Sequence, residues 1–289
     1  LFIIMSNTIT NAGYQKYNLL DFQAYLNSDG SMKVIETWDI TISETNTIFK
    51  NFAVDDIKYT GIEDVKVTDI TEGEKPLEQI YTEMYHVTKD CYYALYVELE
   101  KFEIAWGVGL DNKKADRKYR IEYTVVDAVS IYNDCSQLYW QFVGKDNGIT
   151  AQKVTGTIYL PKKANSKEEI RVWGHTEGLN GEIYVTDLDK VEFSINDLLA
   201  ENFVELRILM PENIIETSGI IYDKDIEQEV LEEEKVWADE ANRIREKRAI
   251  EKLILNIFIV IISIIIAIIL IMKIRKYSKI QKQYTTIIK

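Results

Sequence analysis

The sequence predicts a mainly β protein: one or two antiparallel β-sandwich domains of immunoglobulin-like type, then a stalk helix and a single transmembrane helix. Three observations carry that reading. Apolar residues recur with period two through most of residues 14–210. An uncharged run of twenty residues fills Leu253–Met272. Between them, Asp223–Lys252 is rich in Glu, Lys, Arg and Ala and holds neither Gly nor Pro. At 46% hydrophobic and 28% charged, with 3 Pro, the 289 residues can bury a core, which excludes a disordered or collagen-like chain.

The first twelve residues, LFIIMSNTITNA, are an apolar run followed by small and polar side chains. Thr10 and Ala12 stand where a signal peptidase needs small residues for a cut before Gly13, so residues 1–12 read as the remnant of a secretory signal. The β pattern begins next. Leu20, Phe22, Ala24 and Leu26 share one face of Tyr17–Leu26, and Asn27-Ser28-Asp29-Gly30 supplies a turn. Ser31–Ile42 resumes with Met32, Val34, Trp38 and Ile40 on one side, completing a hairpin. A second hairpin spans Cys91–Val108, with Tyr93, Leu95, Val97 and Leu99 on one arm and Phe102, Ile104, Trp106 and Val108 on the other. Tyr119–Val125 and Leu138–Phe142 read as further strands, as do shorter segments at 62–70, 152–160, 181–186, 190–195 and 203–209.

This stretch is long for one sandwich, which favours two, at residues 13–126 and 127–221, meeting near Asp127–Asn133; one elaborated sandwich fits the same strands. Residues 222–252 form the juxtamembrane stalk helix, in which Ile226, Val230, Trp237, Ala241 and Ile244 fall at helical spacing. Val230, Trp237 and Ile244 are seven apart, so the stalk either rests on the sandwich as a solvated helix or pairs in a short coiled coil, a weak homodimer.

Leu253–Met272 includes eleven Ile, no charge, and only Asn256 and Ser263 as polar side chains. A helix of that length is about 30 Å long at ~1.5 Å per residue, the thickness of a bilayer's hydrocarbon core, and in lipid the backbone must satisfy its hydrogen bonds internally. The tail, residues 273–289, carries six basic side chains and no acid, so the net charge of -13 conceals a strongly acidic body. Such a body is repelled by phosphate backbones, and no nucleic-acid partner is expected. Arg243, Arg245, Lys247, Arg248 and Lys252 nearly balance the tail across the span. The signal-like start breaks that tie: residues 13–252 are expected outside the cytoplasm and the tail inside, at the cell membrane.

The chemistry-bearing residues are sparse. No G-x-S-x-G is present, and the only histidines are His86 and His175. His175 lies in the glycine-containing segment Trp173–Gly181, which reads as a surface turn. His86, Cys91, Cys135 and His175 are the right ligand types for zinc but lack any paired spacing, so no metal or other cofactor is expected. Cys91 and Cys135 read as free thiols, a disulfide between them being the alternative. Asp187-Leu188-Asp189 and Asp223–Glu229 lack the glycine-turned loop of a calcium site and read as solvated faces. A cell-wall sorting signal is excluded, because LPKKA at Leu160–Ala164 lies within the β region and the last proline is Pro211. Glu36 alone is out of place: it falls on the face of Met32, Val34, Trp38 and Ile40. There it is either paired with a Lys or Arg or held protonated for proton chemistry. No catalytic residue is assigned, the binding residues stay open, and no enzyme is expected.

Tyr17–Ile40, the run DAVSIYNDCSQLYWQFVG (Asp127–Gly144), VTGTIYLP (Val154–Pro161), VWGHTEG (Val172–Gly178) and VELRILMP (Val204–Pro211) carry a resemblance. In this order they resemble the bacterial predicted-membrane-protein family of unknown function that includes the YciQ protein. The resemblance covers roughly residues 14–211 and implies a signal peptide, an all-β extracytoplasmic domain, transmembrane helices and a cytoplasmic region. This chain shows seventeen residues after its span, as expected of a short single-span relative or a truncated one. The family carries no substrate or site residue over. The sequence thus points to a membrane-anchored binding or scaffolding module of the bacterial cell envelope, with envelope proteins or polymers as partners. An envelope hydrolase using carboxylates, or a sensor passing a signal through the stalk, are the alternatives.

Overall fold

The computed structural model describes residues 14–53, 58–84, 87–98, 101–109, 113–145, 148–178 and 180–287. The expected signal remnant at 1–12, and with it His86 and Leu99, lies outside the described residues. The strands are β1 (Tyr14–Leu26), β2 (Met32–Ser43), β3 (Thr47–Ala53), β4 (Gly61–Asp69), β5 (Lys75–Pro76), β6 (Glu78–Gln79), β7 (Cys91–Glu98) and β8 (Lys101–Gly107). They continue with β9 (Lys114–Val126), β10 (Val129–Ile131), β11 (Ser136–Val143), β12 (Ala151–Tyr159), β13 (Arg171–His175), β14 (Gly181–Asp187), β15 (Lys190–Leu198) and β16 (Val204–Met210). One long helix, α1 (Glu227–Ile287), follows. The chain forms two compact units, residues 1–231 and 232–289.

The first unit is mainly β. An eight-stranded sheet runs β14-β15-β12-β1-β2-β9-β4-β5, and two four-stranded sheets run β10-β11-β16-β13 and β3-β8-β7-β6. The β1–β2 hairpin forms as its alternation dictates, with Ala24 opposite Val34 and Phe22 opposite Glu36. Its turn needs glycine: Gly30 has φ +81, and a Cβ there would stand 2.8 Å from the Cβ of Ser218. On β2, Met32, Val34, Glu36, Trp38, Ile40 and Ile42 are all buried, the two-residue period of a strand with one face on a core.

The expected boundary at residue 127 does not separate two cores. β1 pairs in parallel with β12, Tyr17 meeting Ala151 and Tyr25 meeting Tyr159, so strands from both sides of Asp127 share one sheet. Phe22, Phe142 and Phe193, drawn from β1, β11 and β15, pack together with ring centroids 5.3–6.4 Å apart. A single large core holds them. The parallel pairing brings sequence-distant strands together after a long connection, which a local period cannot show.

The Cys91–Val108 hairpin forms too, but its two apolar rows face opposite ways. Phe102, Ile104 and Trp106 enter the main core, whereas Tyr93 packs with Val87 and Ala105 in a separate cluster that Leu95 and Val97 adjoin. β3 completes this sheet by pairing with β8, Lys50 opposite Ile104.

In α1, the stretch within Glu227–Ile280 is the one among the described residues that is long and apolar enough to cross a membrane. Stalk, span and most of the basic tail are therefore one continuous helix rather than separate segments. Its start belongs to the β unit. Ile226 and Val230 pack with Cys135 and Leu209, and Val230 is 2% exposed. Of the three positions spaced seven apart, Val230 is thus already covered within its own chain.

Candidate functional site

Glu36 sits where the strand period puts it, fully buried in the middle of β2, and the structure supplies its partners. Lys50 Nζ approaches one carboxylate oxygen at 2.9 Å, the Tyr123 hydroxyl donates to the same oxygen at 2.5 Å, and Trp38 Nε1 donates to the other at 2.7 Å. Lys50 also donates to the carbonyl of Phe142 at 3.2 Å and lies 5.0 Å from the centre of the Phe52 ring. Its side chain is only 11% exposed. A lone buried carboxylate would cost several kcal/mol, roughly, so two hydrogen-bond donors and an adjacent ammonium are what this position requires. Of the two readings the sequence left open for Glu36, the structure shows the paired one. Burial, and then the charge of Glu36, push the hydroxyls of Tyr17 and Tyr123 well above the usual phenol range, so both stay protonated and able to donate.

This pair opens on a pocket of about 470 Å³. Tyr17, Trp38, Phe49 and Phe142 give it aromatic walls, and Gln15 and Asn51 add amides. Glu36 and Lys50 are the one acid and the one base among its described lining residues, which include no Ser, Cys or His. Such a lining offers no activated nucleophile and no second carboxylate; it offers shape, rings, a neutralised charge pair and hydrogen-bonding groups.

The second polar cluster contains His175, but not in a surface turn. His175 ends β13 directly opposite Glu205 of β16, with Nδ1 3.6 Å from a Glu205 oxygen. Lys58 Nζ lies 3.4 Å from the other oxygen and 4.3 Å from the centre of the Tyr139 ring. Burial alone would raise the Glu205 carboxyl, but the hydrogen bond from His175, the charge of Lys58 and the Tyr139 hydroxyl hold it at about 2. This cluster joins β11, β13 and β16.

Cys91 and Cys135 are free thiols. Burial, reinforced by the charge of Asp134, pushes Cys135 up to about 12. Among the described residues, no three His, Cys, Asp or Glu side chains are placed to share a metal ion. At Asp187 the carboxylate accepts from the amide of Leu188 at 2.7 Å, a local turn bond. Asp223 instead accepts from Asn133 at 3.1 Å, beside the start of α1.

That start is held by residues the sequence reading passed over. Asp134 accepts from the amides of Ile226 and Glu227 at 3.0 and 2.8 Å, capping the exposed donors of the first turn. Arg171 Nε lies 3.0 Å from Glu227, and Tyr132 stacks on Tyr222 with centroids 5.1 Å apart. Lys50 was legible in principle: Ile48, Lys50 and Phe52 alternate like a strand, which places a cation on the buried face to answer Glu36. Asp134 had no such signal, since its partners lie more than ninety residues away.

The family described as "Predicted membrane protein (DUF2207) N-terminal domain" matches residues 16–210. No curated protein matches. Among solved structures, a candidate protease from Parabacteroides distasonis ATCC 8503 is 10% identical with a TM-score of 0.38, covering 67% of this chain and 40% of that one. The M1 zinc metallopeptidase of Deinococcus radiodurans, as an E323A mutant bound to Tyr-Ser-Ala, is 5% identical with a TM-score of 0.33, covering 66% of this chain and 42% of that one. The chain thus spans about two fifths of the length of these structures, and likeness this weak says nothing about activity.

Proposed function

The chain belongs to the DUF2207 family of predicted membrane proteins of unknown function, and we propose that it is a membrane-anchored binding module whose β unit stands outside the cytoplasm. One observation carries the binding reading. The β unit carries a pocket of about 470 Å³, within the range of small-ligand sites (about 300–1,000 Å³), with the Glu36–Lys50 pair in its lining already neutralised internally. A hydrolase using carboxylates needs two acids or an acid free to move a proton; here Glu36 is committed to three donors and has no acidic companion among the described lining residues. The protein is therefore read as binding without turnover, its occupant an envelope component.

The acid-free basic tail supports the orientation, because positive residues beside a span favour the cytoplasmic side and anionic lipid. A second reading, a signal passed through α1, is favoured by the Asp134 cap, which fixes the first turn of the helix to the β unit.

The binding reading is tested with a photo-reactive amino acid in place of Phe49, half-exposed at 53% at the pocket, in the full chain and in intact cells. Irradiation should give a discrete adduct that is lost in Lys50→Met. Adducts no different from those at Tyr184, an exposed position on β14, would contradict the reading.

A further inference from the structure

Resting on that binding reading, we infer that the pocket beside Glu36 and Lys50 takes a hydrocarbon chain, the acyl tail of a fatty acid or of a membrane lipid. The walls come first. Leu20, Phe22, Phe49, Phe142, Val143 and Ile149 are among its described lining residues, and their side chains present only carbon. Covering such a surface is favourable in proportion to the area removed from water, and it asks for no directional bond.

The polar side chains of the lining come second, because their bonds are made within the protein. One Glu36 oxygen is engaged by Lys50 and Tyr123, and the other by the indole N–H of Trp38. The Lys50 ammonium is held by Glu36 and by the carbonyl of Phe142, and it lies 5.0–6.0 Å from the centres of the Phe22, Phe52 and Tyr123 rings. Gln15 Nε2 donates to Thr45 Oγ1 at 3.3 Å, and Asn51 is engaged as well. A sugar or a peptide entering here would give up water from its hydroxyls or amides to meet groups already committed elsewhere. A methylene chain has no such groups to satisfy.

The source comes third. The chain carries a helix long and apolar enough to cross a bilayer, so acyl chains are the hydrocarbon at hand where it is anchored. The pocket also has an open side. Gly148 in its lining is exposed, and a Cβ built there would meet nothing within 4 Å.

The test uses the full chain in lipid nanodiscs and two probes with the same diazirine-tagged acyl chain, a free fatty acid and a phosphatidylglycerol built into the disc. After irradiation, mass spectrometry compares adducts on peptides holding Phe49 or Phe142 with those on residues 253–272, which serve as the internal reference. At least one probe should label the pocket peptides saturably; labelling by the free acid alone or by the lipid alone assigns the source. Excess of the same molecule without the tag should displace it, whereas cellobiose, tri-alanine and menadione should not. Gly148→Trp fills the open side and should cut the pocket adducts about tenfold relative to the reference. Phe49→Asp, at an exposed position where the fold tolerates it, sets a carboxylate on the wall and should lower them in the same direction. The inference falls if adducts are confined to residues 253–272, if both variants label like the parent, or if cellobiose, tri-alanine or menadione displaces the probe. If it falls while the Phe49 photo-adduct still forms in cells, the binding reading survives and only the ligand class is wrong.

Discussion

Glu36 of β2 and Lys50 of β3 meet at 2.9 Å with almost no exposure to solvent, one from the eight-stranded sheet and the other from a four-stranded sheet. Through its bond to the carbonyl of Phe142 in β11, Lys50 also reaches the third sheet. One ammonium thus ties together three layers that hydrogen-bonded ladders do not connect.

Removing either partner strands the other. Glu36→Gln and Lys50→Met are each expected to destabilise the β unit by about 3–5 kcal/mol. At about 2–4 °C per kcal/mol for a unit of this size, that is a fall in melting temperature of roughly 6–20 °C. The double variant should lose less than the sum, since the two groups share one interaction. Thermal melts of the full chain in detergent measure all three, and an unchanged melting curve for Glu36→Gln would mean that the carboxylate is not held as described.

Glu205 gives the pH dependence. Its folded value of about 2 lies below its ordinary 4.5, so its ionised form contributes stability above pH 4.5 that is lost as the pH falls through about 2. Glu205→Gln should therefore flatten the acid limb of the stability curve between those values. Acid titration followed by circular dichroism distinguishes this from a variant that merely shifts the whole curve.

The pattern of what could be read in advance follows the range of each interaction. Period two found the β1–β2 hairpin, the Cys91–Val108 hairpin and the inward Glu36, because a strand's faces are set by its own residues. The span was legible for the same reason, being a property of twenty consecutive side chains. What stayed hidden depends on distant segments: the β1–β12 pairing that merges the expected halves, the approach of Lys50 to Glu36, and the Glu205 partner that turns His175 from a turn residue into a strand end. β3 itself was missed because Thr47–Ala53 is an edge strand with a lysine in its buried row, which weakens the apolar alternation.

Asp134 should act as a detachable cap. Asp134→Ala is expected to cost about 0.5–2 kcal/mol locally, as for a lost helix cap. Hydrogen exchange should then accelerate at the amides of Ile226 and Glu227 while the β2 amides stay protected. Equal acceleration in both places would show that the cap supports the whole unit rather than the start of α1.

The cysteines should differ in reactivity. Cys135, buried and pushed up to about 12, should resist alkylation at neutral pH until the unit unfolds, and Cys91, partly exposed, should react first. Mass spectrometry after timed alkylation checks the order.

Topology is the point on which the account stands, and it can be measured in intact cells with a membrane-impermeant thiol reagent. In a Cys91→Ser background, where Cys135 is inert, a cysteine replacing the exposed Asn180 beside β14 should be labelled, and one replacing Ser278 beyond the span should be labelled only after the membrane is opened. Labelling of position 278 in intact cells with position 180 protected would put the β unit in the cytoplasm and contradict the account.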